Sequence, residues 1–140
     1  MKTGLEVESD IYEMLQNSPI HLVVNGQIYK GETRPFVGKN DNPKEDIVVR
    51  YLTGISSQMQ RGVVIVNVYC PYIKSGDKVF IRNTSRCQKF ERKLDETFHY
   101  LQSIHSDYYF EFDGAIQTYN EDEINQTFST LRIKYKILDN

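Results

Sequence analysis

Asp95 and His99 stand four residues apart in a helical stretch, a spacing that puts two side chains on one helix face. A zinc-binding helix needs two histidines at that interval so that both reach one ion, and here there is one. The spacing therefore supports a solvated acid–histidine pair. Glu121-Asp122-Glu123 gathers three carboxylates, which suit a hard cation, but the glycine and spaced oxygen ligands of a dedicated calcium loop are missing. It reads as a hairpin tip. Ser75-Gly76-Asp77-Lys78 is a turn in which nothing supplies a base for the serine. His105 and Asp107 follow a helix end, where a histidine complements the last carbonyls, and His21 stands alone in an apolar stretch. Cys70 and Cys87, the only cysteines, share no CxxC or histidine spacing and read as two unlinked thiols. No catalytic residue, metal ligand or cofactor cradle is assigned.

Two features point to contact instead of chemistry. Gly31–Glu45 is a polar connection of about 15 residues with no helical or strand period, well beyond the roughly 4–6 residues usual inside a compact domain. It reads as a surface arm that touches other chains. Arg132, Lys134 and Lys136 alternate with Leu131, Ile133, Tyr135 and Ile137, which lines the charges along one strand face at intervals of about 6.5–7 Å. Such a stripe fits an acidic protein surface, the lumen of an assembled ring, or a phosphate backbone. Outward charge that opposes strand-to-strand aggregation is the plainer use. The formal net charge of −2 demands no nucleic-acid partner, so any such contact is at most indirect.

The elements that must carry these residues follow from periodicity. Residues 4–16 form an amphipathic helix with Thr3 and Glu6 as a capping box and Val7, Ile11, Met14 and Leu15 on one face. Asn17-Ser18-Pro19 ends it. Residues 20–30 suit either a tight hairpin at Asn25-Gly26 or a short helical turn over 18–24 followed by a strand at 27–30, and the second is preferred. Ile47–Leu52 and Val63–Tyr69 are β-branched strands joined by the loop Thr53–Arg61, and a second long loop covers Cys70–Asn83. Ser85 and Gln88 then cap the main helix, whose apolar face is Cys87, Phe90, Leu94, Phe98, Leu101 and Ile104. A final hairpin pairs Tyr108–Phe112, broken near Gly114 by a bulge, with Leu131–Ile137 across the acidic turn.

The expected fold is a single α+β domain over residues 1–140, in the order α-(β)-β-β-α-β-β, with a mainly antiparallel sheet of four to five strands and both helices on one face. Ten tyrosines and no tryptophan agree with strand-rich packing. No apolar run approaches the roughly 18–20 residues of a membrane span, and Met1–Asp10 has no apolar signal core, so no membrane partner is expected.

The segments Gly26-Gln27-Ile28-Tyr29-Lys30, Arg34-Pro35, Glu45-Asp46-Ile47-Val48-Val49 and Gln60-Arg61-Gly62-Val63-Val64-Ile65-Val66-Asn67-Val68, in this order, resemble the small tail-completion or tail-terminator proteins of long-tailed phages and prophages. The likeness in element order covers nearly the whole chain. It implies a non-enzymatic structural protein, without cofactor, that forms a ring (commonly six-fold) on the last ring of the tail tube and faces the head connector. The implied partners are further copies of the chain, the tail-tube protein and the connector. The implied location is the bacterial cytoplasm during assembly, then the virion tail. On this likeness Arg34, Pro35, Glu45 and Asp46 contact neighbouring subunits, and Arg132, Lys134 and Lys136 line a lumen or meet the tube. The residues alone leave a second reading open, a monomeric α+β module that binds a protein or nucleic acid through the basic strand.

Overall fold

The long β-branched runs form the middle of the sheet. In the computed structural model, which describes residues 1–38, 43–55, 59–77 and 79–138, helix α1 (Gly4–Gln16) is followed by a 3-10 turn at Pro19–Leu22 and strand β1 (Ile28–Lys30). Strands β2 (Ile47–Ile55) and β3 (Arg61–Pro71) come next, then the two-residue strands β4 (Ile73–Lys74) and β5 (Phe80–Ile81). Helix α2 (Thr84–Ile104), β6 (Tyr108–Phe112), β7 (Gln117–Glu121), a 3-10 turn at Asp122–Ile124 and β8 (Gln126–Ile137) complete the chain. The architecture is α+β. The main sheet runs β1-β2-β3-β8-β6, with β7 beside β6 along the same side of β8, and β4 and β5 make a separate hairpin.

This corrects the expected sheet in two respects. It has six strands, and it is mixed, because β1 joins β2 in parallel, with Ile28 opposite Ile47 and Lys30 opposite Val49. A parallel pair needs a crossover of a dozen residues or more, and the Gly31–Glu45 connection supplies that length. The break at Gly114 (φ +95°) is a change of strand and not a bulge within one. β6 and β7 pair with successive stretches of β8 on either side of it. The loop Thr53–Arg61 is also shorter than expected, since β2 and β3 extend to Ile55 and from Arg61. Residues 56–58 lie outside the described residues.

The helices are fixed by their caps. Thr3 and Glu6 form the expected box on α1, each side chain bonded to the other's backbone, which satisfies two orphan N–H groups of the first turn. On α2 the cap is Asn83 and not Ser85: the Asn83 side chain accepts from Arg86 N at 3.3 Å, starting the helix at Thr84. Asparagine is at least as good a cap as serine, so the earlier of two capping residues takes the position.

Alternation then builds one core. Val64, Val66, Val68 and Cys70 of β3, and Leu131, Ile133, Tyr135 and Ile137 of β8, point to the face covered by α1 and α2. Val7, Ile11 and Leu15 from α1 and Phe90, Leu94, Phe98 and Leu101 from α2 close it. Each such side chain contributes about 1.5–3 kcal/mol when fully buried. Ile104 falls outside this face and stays more than half exposed. The Phe98 ring meets Phe110 edge-on at 5.5 Å, and Tyr108 stacks on Phe110.

Two phenols in this core give the fold a pH limit. Tyr108 donates to Asp10 Oδ2 at 2.8 Å, and burial pushes its pKa up. Burial, with Tyr51 nearby, raises Tyr135 to about 12. A raised phenol pKa leaves stability untouched below the unfolded value of about 10 and removes it as pH climbs through the folded value. Titration from pH 9 to 12.5 followed by tyrosinate absorbance and circular dichroism should therefore show two classes of tyrosine. The late class should ionise together with loss of β signal above pH 10. Ionisation of all ten tyrosines near pH 10 with the fold intact would refute this packing.

Candidate functional site

Three surfaces surround this scaffold. The first is the foot of the arm, where the segment before β2 carries Glu45 and Asp46. Both are buried, although acids rarely are unless paired. Arg86, from the first turn of α2, donates Nε–H to Glu45 Oε2 at 2.8 Å and Nη2–H to Glu45 Oε1 at 2.5 Å and to the Val23 carbonyl at 2.9 Å. The Glu45 carboxylate in turn holds this guanidinium firmly in its charged form. A backbone bond from Gly26 N to Glu45 O (2.8 Å) and one from Glu45 N to the Asn25 side-chain Oδ1 (2.7 Å) bind the segment before β1 to the segment before β2. Asp46 accepts from Gln27 N and from Arg34 Nε, each at 2.9 Å. Arg34 also donates to Gln126 Oε1 at 2.9 Å and lies over the Tyr69 ring at 4.2 Å.

Of the residues expected at subunit contacts, the structure thus gathers Arg34, Glu45 and Asp46 into polar clusters within one chain that pin both ends of the arm. Arg86, to which the sequence gives no contact, is the partner of Glu45, as Arg34 is of Asp46. Pro35 and Phe36 are exposed, Phe36 at 90%. Residues 39–42 of the arm lie outside the described residues.

The second surface is the sheet face turned away from both helices. Register puts Arg61 beside Lys136, Val63 beside Lys134 and Ile65 beside Arg132. Arg50 neighbours Ile65 on the other side, and Tyr109 and Glu111 neighbour Lys136 and Lys134. The expected stripe is therefore real and widened by Arg50 and Arg61. Toward its middle Asp113 tempers it, 3.4 Å from Arg132 Nε and 3.9 Å from Lys134 Nζ. A cleft of about 410 Å³ opens at the hairpin end, lined by Arg61, Val63, Tyr109, Glu111, Lys134 and Lys136 among others. Arg61 and Lys136 have no acidic partner among the described residues.

The third surface is the β4–β5 hairpin. Its strands pair Ile73 with Ile81 and Lys74 with Phe80, turning at Gly76 (φ +77°). Ile73, Val79, Phe80 and Ile81 are each about half exposed. Sequence reading took the whole Cys70–Asn83 stretch as loop, since two-residue strands are too short to show a period.

The other candidates resolve simply. His99 Nε2 lies 3.5 Å from Asp95 Oδ1 on the surface of α2, and His21 Nδ1 meets the Ser18 carbonyl. Asp122 accepts from the Tyr72 hydroxyl. Lys78 of the Ser75 turn lies outside the described residues. Among the described residues no group of three or more His, Cys, Asp or Glu is placed to hold a metal ion, and no helix is long and apolar enough to cross a membrane. The two cysteines are unlinked but not apart: Cys70 pairs in register with Thr127, and Cys87 Sγ is 3.2 Å from Thr127 Oγ1. Hydrogen bonding between the sulfurs pushes the Cys70 thiol up and draws Cys87 down. No protein-family model matches the chain, and no curated protein matches it.

Proposed function

We propose that this chain is a structural protein of a long-tailed phage or prophage. It assembles as a ring, commonly six-fold in the group it resembles, that ends the tail tube and joins it to the head connector. The observation that carries this reading is the β4–β5 hairpin, which holds four apolar side chains outside a core complete without them. Clustered apolar surface on a projecting element suits contact with another chain, and a projection that meets a different patch on the next copy closes a ring when the rotation closes. The order of helix, short strand, strand pair, long helix and final strands supports the same reading. The pinned foot of the arm does too, because Arg34, held by Asp46 and Gln126, fixes the exposed Pro35 and Phe36 where a neighbour meets them at little cost in ordering.

The test is solution mass by light scattering over a range of concentrations. The wild-type chain should approach six protomers, and Phe80→Asp/Ile81→Asp should remain a folded monomer that fails to join tails. A double variant that forms the same ring and joins normally would refute the role of the hairpin. A second reading, a monomeric module that binds through the basic sheet face, draws on Arg61 and Lys136, which have no acidic partner among the described residues. A wild-type chain monomeric at every concentration would move it to first place.

A further inference from the structure

The outer sheet face is electrically lopsided along its longest strand. At the C-terminal end of β8, Lys134 and Lys136 join Arg61 of β3 around the cleft of about 410 Å³, with Glu111 the single acid lining it among the described residues and Asp113 3.9 Å from Lys134 Nζ. At the other end, Glu121, Asp122 and Glu123 form the turn that feeds β8. Gln126 and Lys136 are ten residues apart on an extended strand, so the two ends are separated by roughly 30 Å. They cannot meet within one copy.

The acidic turn is also held in shape. Its backbone is fixed by Asn125 in the left-handed region (φ 52°) and by Tyr72 N, which donates to the Asn125 carbonyl at 2.8 Å. The Tyr72 hydroxyl donates to Asp122. Asp122 and Glu123 are exposed, and Glu123 has no cationic partner among the described residues. An exposed acidic turn, held by hydrogen bonds, thus lies at one end of β8, with Arg34 and Arg50 beside Glu121 only, and a basic cleft lies at the other end.

The geometry points to the acidic turn of one copy docking into the basic cleft of the next: Asp122 and Glu123 meet Arg61, Lys134 and Lys136 head to tail. This rests on the ring reading above and specifies its contact. Two complementary patches on different parts of one surface make a heterologous interface, which propagates in one direction and closes into a ring where the rotation closes. The charges set the register and direction of that contact, and matched patches also speed encounter. The small net charge conceals the arrangement, because the two ends offset one another.

Charge reversal tests it. Lys134→Glu/Lys136→Glu makes both ends acidic, and Asp122→Lys/Glu123→Lys makes both basic. Each variant alone should need at least tenfold higher concentration to assemble than the wild type, with unchanged circular dichroism. Mixed in equal amounts they should assemble again, since each acidic end now faces a basic one, and a six-membered ring closes with strict alternation. The quadruple variant, with the polarity exchanged in one chain, should assemble by itself. Single variants that form rings as the wild type does would overturn the contact while leaving the ring in place. So would a mixture and a quadruple variant that both stay monomeric. A wild-type chain that never assembles would overturn the ring reading and this contact with it. Polyanion binding lost in the Lys134/Lys136 variant, with no recovery in the mixture, would assign the cleft to nucleic acid.

Discussion

Arg86→Met should destabilise the protein by about 3 kcal/mol, several times the loss from removing a surface ion pair. The Glu45 side chain is only 8% exposed, and Arg86 supplies two of the bonds to its carboxylate. Without Arg86 those oxygens keep, among the described residues, a long bond from Asn25 N at 3.3 Å. Breaking a buried pair by removing one partner costs about 3–5 kcal/mol, since the other charge stays buried and uncompensated. Arg86 is itself partly open to water, which puts the expected loss at the lower end. The same guanidinium also caps the Val23 carbonyl and lies over the Phe90 ring at 4.8 Å. Its removal therefore loosens α2 from the turn before β1. Arg92→Ala is the control: Arg92 and Asp95 form an exposed i,i+3 pair at 3.4 Å, worth less than about 0.5 kcal/mol. Urea unfolding of Arg86→Met, Glu45→Met and the double variant decides the matter. The double variant should recover much of the loss. A single-variant effect below 1 kcal/mol would mean that the pair is not buried in solution.

That pair shows where sequence reading stops. Arg86 and Glu45 are 41 positions apart, and neither carries a local sign of the other. Arg86 satisfies the pattern of an exposed helix position, and Glu45 that of a polar loop. The elements with strong periods were legible: both helices, the β2–β3 pair and the C-terminal half of β8 follow from apolar spacing alone. What escaped was structure whose inward side chains are polar. β7 points Thr118 inward, and the first half of β8 points Thr127 and Ser129 the same way. Thr118 Oγ1 lies 2.8 Å from Ser129 Oγ and donates to Glu91 at 2.7 Å. A patch held by hydroxyls gives no alternation of apolar and polar residues, so between Phe112 and Leu131 the sequence shows only the acidic turn Glu121-Asp122-Glu123. The basic stripe was visible because its partners alternate with it on one strand. Its widening by Arg50 and Arg61 required the register of three strands.

Gly62→Ala should cost about 3 kcal/mol, although it adds one methyl group to a half-buried strand position. A Cβ there would sit 2.3 Å from the Thr53 carbonyl oxygen, 2.6 Å from the Tyr135 hydroxyl and 2.8 Å from Gly54 Cα. Two of the three are backbone atoms of the paired strand, which cannot swing away as a side chain can. Gly62 faces Gly54 directly, next to the irregularity between Tyr51 and Thr53, and the Tyr135 side chain reaches over the gap that the two glycines leave. Overpacking of this kind costs about 1–3 kcal/mol where side chains can shift. Forcing paired backbones apart belongs at the top of that range. Gly54→Ala should cost less, because its nearest neighbour is the Tyr51 hydroxyl at 2.4 Å, the far end of a movable side chain. Adding Tyr135→Phe to Gly62→Ala should restore little, since the Thr53 carbonyl remains in the way. Thermal and urea unfolding of the three variants measure this order. A Gly62→Ala variant within 0.5 kcal/mol of wild type would mean that β2 and β3 do not approach so closely in solution. The same two glycines line the basic cleft, so the variant also bears on assembly. If the cleft accepts the acidic turn of a neighbour, a Gly62→Ala chain folded at low temperature should still assemble poorly. Separating β2 from β3 moves Thr53, Gly54 and Ile55 away from Arg61 and the β8 lysines, which opens the cleft and leaves the carboxylates a wider, weaker target.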